Sequence, residues 1–271
     1  MQAGRALPYT PAMLHIGASI GWNHGESQAY AAHWSGQPAI LKRHREPTKH
    51  AREMYGYLTW AHTGLLPEVL HADPARLELV LDRVPAASAL GQPQTGAMYK
   101  AAGAALRRLH DAAPRPRPFD DGRNDLERLT GRYLPRAVGV LPEAHIRAVA
   151  AQTSALLAGP FPAVVLRHAD YTARNWLWDG AHLTVIDTEM ARPGPAVLDV
   201  AKLTNALSVR EDGEAVLAAF RQGYGRDWTT EETQFLATVR AFDALTLAVW
   251  CHQHGDPAGF ETMRTVLDRL L

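Results

Sequence analysis

The hydrophobic pattern of this chain shifts near residue 83 from mainly strand-like alternation to mainly helical spacing, and that shift limits the available folds more than any other feature. Ahead of it, the runs MLHIGASI, SQAYAAHW and PAILKRH alternate apolar and polar residues and are separated by GWNHGE and the turn SGQ. Strand side chains point alternately to opposite faces, so these runs predict three antiparallel strands. The segment 48–63 carries Ala51, Met54, Tyr55, Leu58 and Ala61 at helical spacing, with Gly64 as a C-terminal stop. EVLHA and RLELVLDRV, joined by DPA, predict two further strands ending near Pro85.

Beyond that point the pattern is mainly helical. Helices are expected at 94–111, 126–136 and 143–157, the first closed by PRPRP, whose prolines cannot continue it. A β-rich island follows, made of VVLRH, WLW and LTVID, with a tight turn at Asp179-Gly180, and the rest reads as helix to Leu271. The expected architecture is α+β: a small lobe over 1–83 with a five-stranded antiparallel sheet and one helix, and a larger helical lobe over 84–271. A cleft is expected between them.

Composition narrows the partners. The 28 basic residues balance 28 acidic ones, so no overall field draws the chain to nucleic acid or an anionic membrane. One cysteine, Cys251, cannot form an internal disulfide, which fits a reducing, cytoplasmic compartment. No run reaches the roughly 18 uninterrupted apolar residues of a membrane span. The expectation is a monomer or homodimer whose partners are small molecules.

Within the β island stands HADYTARN, with His168, Asp170 and Asn175, and twelve residues after Asn175 comes Asp187 in VID. Given 13 His, 15 Asp and 4 Asn, chance places HxDxxxxN roughly 0.01 times in such a chain. Phosphoryl transfer asks a protein for a carboxylate that holds the attacking hydroxyl and for groups that neutralise phosphate charge. Asp170 can accept the hydroxyl proton or orient the hydroxyl. Asn175 and Asp187 offer the hard oxygen ligands magnesium prefers, and His168 braces the loop.

HADYTARN with VIDTE resembles the catalytic and metal loops of the aminoglycoside phosphotransferases and choline kinases, which share the protein kinase fold. AILKRH resembles the kinase lysine strand, GAALRRLH the helix before the catalytic region, and PAVLDVA the segment of the structural aspartate, Asp199. The resemblance implies an ATP-dependent or GTP-dependent, magnesium-requiring kinase with a hydroxyl acceptor and Asp170 as its catalytic residue. It implies Lys42 on the nucleotide phosphates, paired with Glu53 (Glu46 being the other acid nearby), and adenine bound by the backbone of Leu81, Asp82, Arg83 and Val84. Gly21 and Gly25 in GWNHGE would cover the phosphates, or form an ordinary hairpin turn.

The chain also departs from that family. Ala169 and Arg174 stand where glycine is usual, and Thr188 where an aromatic residue follows the metal aspartate. Arg174 could reach a substrate anion or the transferring phosphoryl group, or form a surface ion pair. Tyr171, Glu189, Asp243 and Trp250 are candidates for the acceptor pocket, with core packing as the other reading of Trp250. The acceptor reads as an antibiotic such as an aminoglycoside, or as choline, a sugar, a nucleoside or homoserine. A nucleotide-binding pseudokinase is the reading from another class.

Overall fold

The computed structural model describes residues 13–20, 27–112 and 122–271. Gly21, Gly25 and the PRPRP segment lie outside the described residues. The chain divides into two compact units, Met1–Ala51 with Pro67–Pro85 and Arg52–Leu66 with Ala86–Leu271, and the boundary falls inside one helix.

The first unit is built on β1 (Leu14–Ile20), β2 (Ser27–Trp34), β3 (Gln37–His44), β4 (Val69–Asp73) and β5 (Glu78–Asp82). They form one antiparallel sheet in the order β1-β2-β3-β5-β4, the five strands expected from the alternating runs. Ser35 and Gly36 close the first tight hairpin with φ of 50° and 84°, the paired positive values that a two-residue turn between twisted strands requires. Ala32, Ala39, Leu41 and Val80 make the core of this sheet. Its central strand places Lys42 opposite Ala29 on one side and Leu79 on the other, with the side chain buried.

Helix α1 (Pro47–Trp60) starts on a proline, which is pre-set for a first helical turn. A short 3-10 turn and then Gly64, at φ 65°, end it where the sequence placed the stop. Its second half belongs to the larger unit, where the Trp60 indole donates to the Leu109 carbonyl at 2.9 Å.

The larger unit contains α2 (Gly96–Ala112), α3 (Arg123–Ala137), α4 (Glu143–Ala158), α5 (Leu198–Leu207), α6 (Gly213–Tyr224), α7 (Thr230–Gln253) and α8 (Pro257–Leu270). Helices α2 and α6 approach so closely that a Cβ on Gly103 would collide with the Phe220 carbonyl, and one on Gly223 with that of Lys100. Glycine at both places lets the two backbones touch. Helix α7 is long and apolar enough to cross a membrane, but just over half of its most apolar stretch is buried in this core.

Five short strands complete the unit. β6 (Ala87–Ser88), β8 (Trp176–Trp178) and β9 (Leu183–Val185) form one sheet, and β7 (Val164–Arg167) pairs with β10 (Arg192–Pro195) in a ribbon. The ribbon corrects the expectation of unbroken helix after Asp187. β10 reads RPGP, and prolines argue against a strand unless it lies at an edge, which a two-stranded ribbon always provides. Asp125 of α3 fastens it through an ion pair with Arg192, whose Nε lies 2.8 Å from Oδ2.

Candidate active site

Asp170, Asn175 and Asp187 sit at the open end of the β8–β9 hairpin in the larger unit. Trp176 faces Val185 in that hairpin, and one step beyond it the Ile186 N–H donates to the Asn175 carbonyl at 3.0 Å. The His168 Nε2–H donates to the Ile186 carbonyl, also at 3.0 Å. His168 therefore ties the loop before Asp170 to the segment before Asp187.

Asp199 closes the loop from below. Its carboxylate accepts from the backbone N–H groups of His168 and Ala169 at 2.8 and 2.6 Å, and from His110 Nε2 at 3.0 Å. His110 is held in turn by the Tyr224 hydroxyl at 2.9 Å. Burial alone would raise the pKa of Asp199, but the His110 hydrogen bond and the nearby His110, Arg167 and His168 charges outweigh it and hold the carboxyl below the ordinary value. Ala169 adopts a left-handed φ of 63°, a conformation costing a non-glycine residue about 1–2 kcal/mol. That backbone is why glycine is the easier residue at this point of the loop. The N–H bond to Asp199 stabilises the alanine there.

Asp170 is 7% exposed and has three side-chain donors. Arg174 Nη2 and Asn175 Nδ2 donate to Oδ2 at 2.7 and 2.9 Å, and Lys202 Nζ donates to Oδ1 at 2.9 Å. Burial pushes the Asp170 pKa up, but the Lys202 ammonium and Arg174 guanidinium outweigh it and hold the carboxyl far below the usual range. The environment thus favours an ionised Asp170, a carboxylate suited to accept hydrogen bonds. The Asn175 amide nitrogen faces Asp170, at its carbonyl as well as at Oδ2, which leaves the side-chain oxygen as the atom for a cation.

Asp187 lies just past β9 at φ 65°, a conformation aspartate tolerates. Burial would lower the Arg174 pKa, but Asp170 and then Asp187 raise it, which places this half-exposed guanidinium beside both aspartates. Thr188 is fully buried and donates to the Glu53 carbonyl of α1 at 3.0 Å. A Cβ on Gly56 would come within 2.7 Å of it. Gly56 thus leaves the room that the Thr188 side chain, next after Asp187, occupies. Glu53 and Glu189 are both buried and bring carboxylate oxygens within 4.8 Å of each other.

Tyr171 corrects the acceptor-pocket expectation. It is 1% exposed, rests against Trp176 and His168, and donates its hydroxyl to the Ala102 carbonyl at 2.7 Å. Burial and then Asp199 push its phenol well above the usual pKa. The side chain following Asp170 turns into the core.

Asp243 and Trp250 share one face of α7, seven residues apart. Asp243 accepts from Asn205 Nδ2 at 3.1 Å and lies in the field of Lys202; burial raises its pKa. Trp250 stacks on His254 at 4.1 Å, near the end of the helix.

In the smaller unit, Leu81 and Asp82 close β5, where the Asp82 N–H donates to the Glu68 carbonyl at 2.8 Å, and Arg83 and Val84 follow the strand. An open surface hollow of about 430 Å³ along α6 is lined by residues such as Arg221 and Asp227 and contains none of the groups above.

Sequence reasoning missed Lys202, Asn205 and His110. Lys202 had a signal: it is one of only four lysines and stands three residues after Asp199, on the same helical face.

A model of the phosphotransferase enzyme family matches residues 21–236. No curated protein matches the chain. Among solved structures, the aminoglycoside phosphotransferase APH(4)-Ia, a thermostable mutant in apo form, superposes with a TM-score of 0.72 at 16% identity over 94% of each chain. The same enzyme with ADP and hygromycin B gives 0.70 at 16% identity, covering 94% of this chain and 93% of that one. A choline/ethanolamine kinase family protein from Mesorhizobium loti gives 0.70 at 20% identity, over 94% of this chain and 88% of that one. Spectinomycin phosphotransferase APH(9)-Ia, with ADP and spectinomycin, gives 0.64 at 15% identity over 95% and 92%. At these identities the likeness establishes the shared α+β fold.

Proposed function

The chain belongs to the phosphotransferase enzyme family, transferring phosphoryl groups to an alcohol, and from that premise we propose an acceptor and a role for each residue. It moves the γ-phosphoryl group of ATP, or of GTP, to a hydroxyl of an antibiotic such as an aminoglycoside or a related natural product, giving resistance. The enzyme works in the cytoplasm as a monomer or homodimer. The observation that carries this reading is Asp170, fixed by three donors, beside Asn175 at the strand ends that also bear Asp187. The solved relatives that hold ADP together with hygromycin B or spectinomycin support a nucleotide and an antibiotic as the two ligands.

Asp170 receives the acceptor hydroxyl and aims it at the γ-phosphorus. The Asn175 side-chain oxygen and the Asp187 carboxylate are a hard-oxygen donor pair on adjacent strand ends, which fits magnesium. Bound there, magnesium would neutralise phosphate charge. Arg174, exposed over half its side chain and next to Asp170, faces the transferring group. Lys42 holds the nucleotide phosphates, Glu53 orients Lys42, and Arg83 and Val84 offer backbone groups to the base.

A metabolic role, with a neutral sugar or nucleoside as acceptor, has one observation in its favour. Asp243, the carboxylate best placed to meet a polycation, is engaged by Asn205 and shares the field of Lys202. Glu189, buried against Glu53, adds none at the surface.

The test is mass spectrometry of a panel of antibiotics, sugars, nucleosides and choline after incubation with Mg-ATP. One compound gaining a phosphoryl group with wild type, and at least about a hundredfold less with Asp170→Ala, is the expected result. Equal product from both proteins would remove Asp170 from the mechanism, and ATP binding without any product would turn the reading to a pseudokinase.

A further inference from the structure

Each oxygen of an ionised carboxylate offers two lone-pair directions. At Asp170, Oδ2 has both occupied, by Arg174 and Asn175. Among the described residues Oδ1 has one occupied, by Lys202, so the remaining direction on Oδ1 is the place on this carboxylate for a further hydroxyl. Lys202 belongs to α5, and three residues earlier on the same helix Asp199 fixes the backbone of His168 and Ala169. One helix face therefore sets both the path of the loop and the rotation of its carboxylate.

The ammonium is itself constrained. Asp243 of α7 also attracts it, Asn205 Nδ2 donates to Asp243 at 3.1 Å, and Arg240 Nε donates to the Asn205 side-chain oxygen at 2.9 Å. The Lys202 side chain keeps 34% of its surface, so it reaches Asp170 at the edge of the solvent-facing site.

We propose that Lys202 is a positioning residue for phosphoryl transfer, holding Oδ1 of Asp170 so that its free lone pair points at the acceptor hydroxyl, while Asp243 and Asn205 hold the Lys202 ammonium. This rests on the preceding reading, in which Asp170 meets that hydroxyl. The acceptor hydroxyl docks on Oδ1, beside the ammonium, and not on Oδ2. No bond to Lys202 forms or breaks.

The experiment uses the full chain with Mg-ATP alone, water serving as acceptor, and follows ADP release for wild type, Lys202→Met, Lys202→Arg and Asp243→Asn. Misplacing a reacting group by about 1 Å costs on the order of a hundredfold, so Lys202→Met should lower kcat roughly 10- to 100-fold. KM for ATP should stay within about twofold of wild type, the signature of a group acting on the acceptor side. Lys202→Arg should recover most of the loss, and Asp243→Asn should show a smaller one, which keeps the proposal open to test if Lys202→Met does not fold. In an Asp170→Ala background Lys202→Met should do nothing further, because the two act as one unit. An unchanged kcat for Lys202→Met, or a loss of the same size without Asp170, would overturn the proposal. Full turnover by Asp170→Ala would instead sink the underlying reading.

Discussion

Two aspartates bracket the loop 168–175, and they are built differently. Asp199, below it, is 2% exposed and bonded to two backbone N–H groups and a buried histidine, all fixed in place by other structure. Asp170, at its mouth, is bonded to the ends of long side chains, Arg174 and Lys202, that keep 55% and 34% of their surface. Both carboxyls are held below the ordinary range, so ionisation alone does not separate them. The donors do. A carboxylate saturated by rigid partners supports a backbone, and one clamped by cations at its rim, with a lone pair left over, meets a substrate.

That contrast can be broken most severely at the floor. Asp199→Ala would leave two buried N–H groups and His110 without their acceptor, and breaking a buried charged network of this kind costs about 3–5 kcal/mol. Thermal unfolding should show a large fall in Tm, with turnover lost along with the fold. Asp170→Ala should cost less, because Arg174 and Lys202 reach water and Asn175 keeps its bond to the Asp170 carbonyl: a smaller fall in Tm, with turnover strongly reduced. Equal losses of Tm for the two variants would erase the distinction.

A smaller effect is expected beneath Asp187. Gly56→Ala pushes a methyl group to within 2.7 Å of Thr188 and should cost about 1–3 kcal/mol by overpacking, measured by denaturant unfolding. Thr188→Ala should relieve part of that loss in the double variant. Additive losses would mean the two residues do not share one space.

The smallest effect concerns acid. The Asp199 carboxyl is held below its ordinary value of 3.8, so folding favours its ionised form. Its stabilisation is full above that value and is lost as the pH falls beneath it, so Tm should drop more steeply below about pH 4 in wild type than in Asp199→Asn. Identical acid limbs would show that Asp199 contributes nothing there.

Much of this was legible in the sequence, for reasons particular residues make plain. The five strands announced themselves through short apolar runs bounded by turn residues, and α1 because Gly64 stops it. HADYTARN was readable because its chemistry falls within eight consecutive residues. Lys202 was not, because its partner lies 32 residues away and only the path of α5 brings them together. Tyr171 misled for the opposite reason. Adjacency to Asp170 suggested the pocket, but the backbone turns the next side chain inward onto Trp176 and the Ala102 carbonyl. β10 was hidden by its prolines, which only a ribbon edge tolerates.

The Asp199 carboxylate also has a consequence for the order in which the chain can be assembled. It joins His110, 89 residues upstream, to the backbone 30 and 31 residues upstream, so the loop cannot take its final shape before residue 199 has been synthesised. Contacts of such long sequence separation are slow to form, because chain entropy is lost before any bond compensates. A growing or truncated chain ending ahead of Asp199 would hold every letter of HADYTARN without its geometry. Synthesis of Asp199, and not of the motif itself, is what completes the loop.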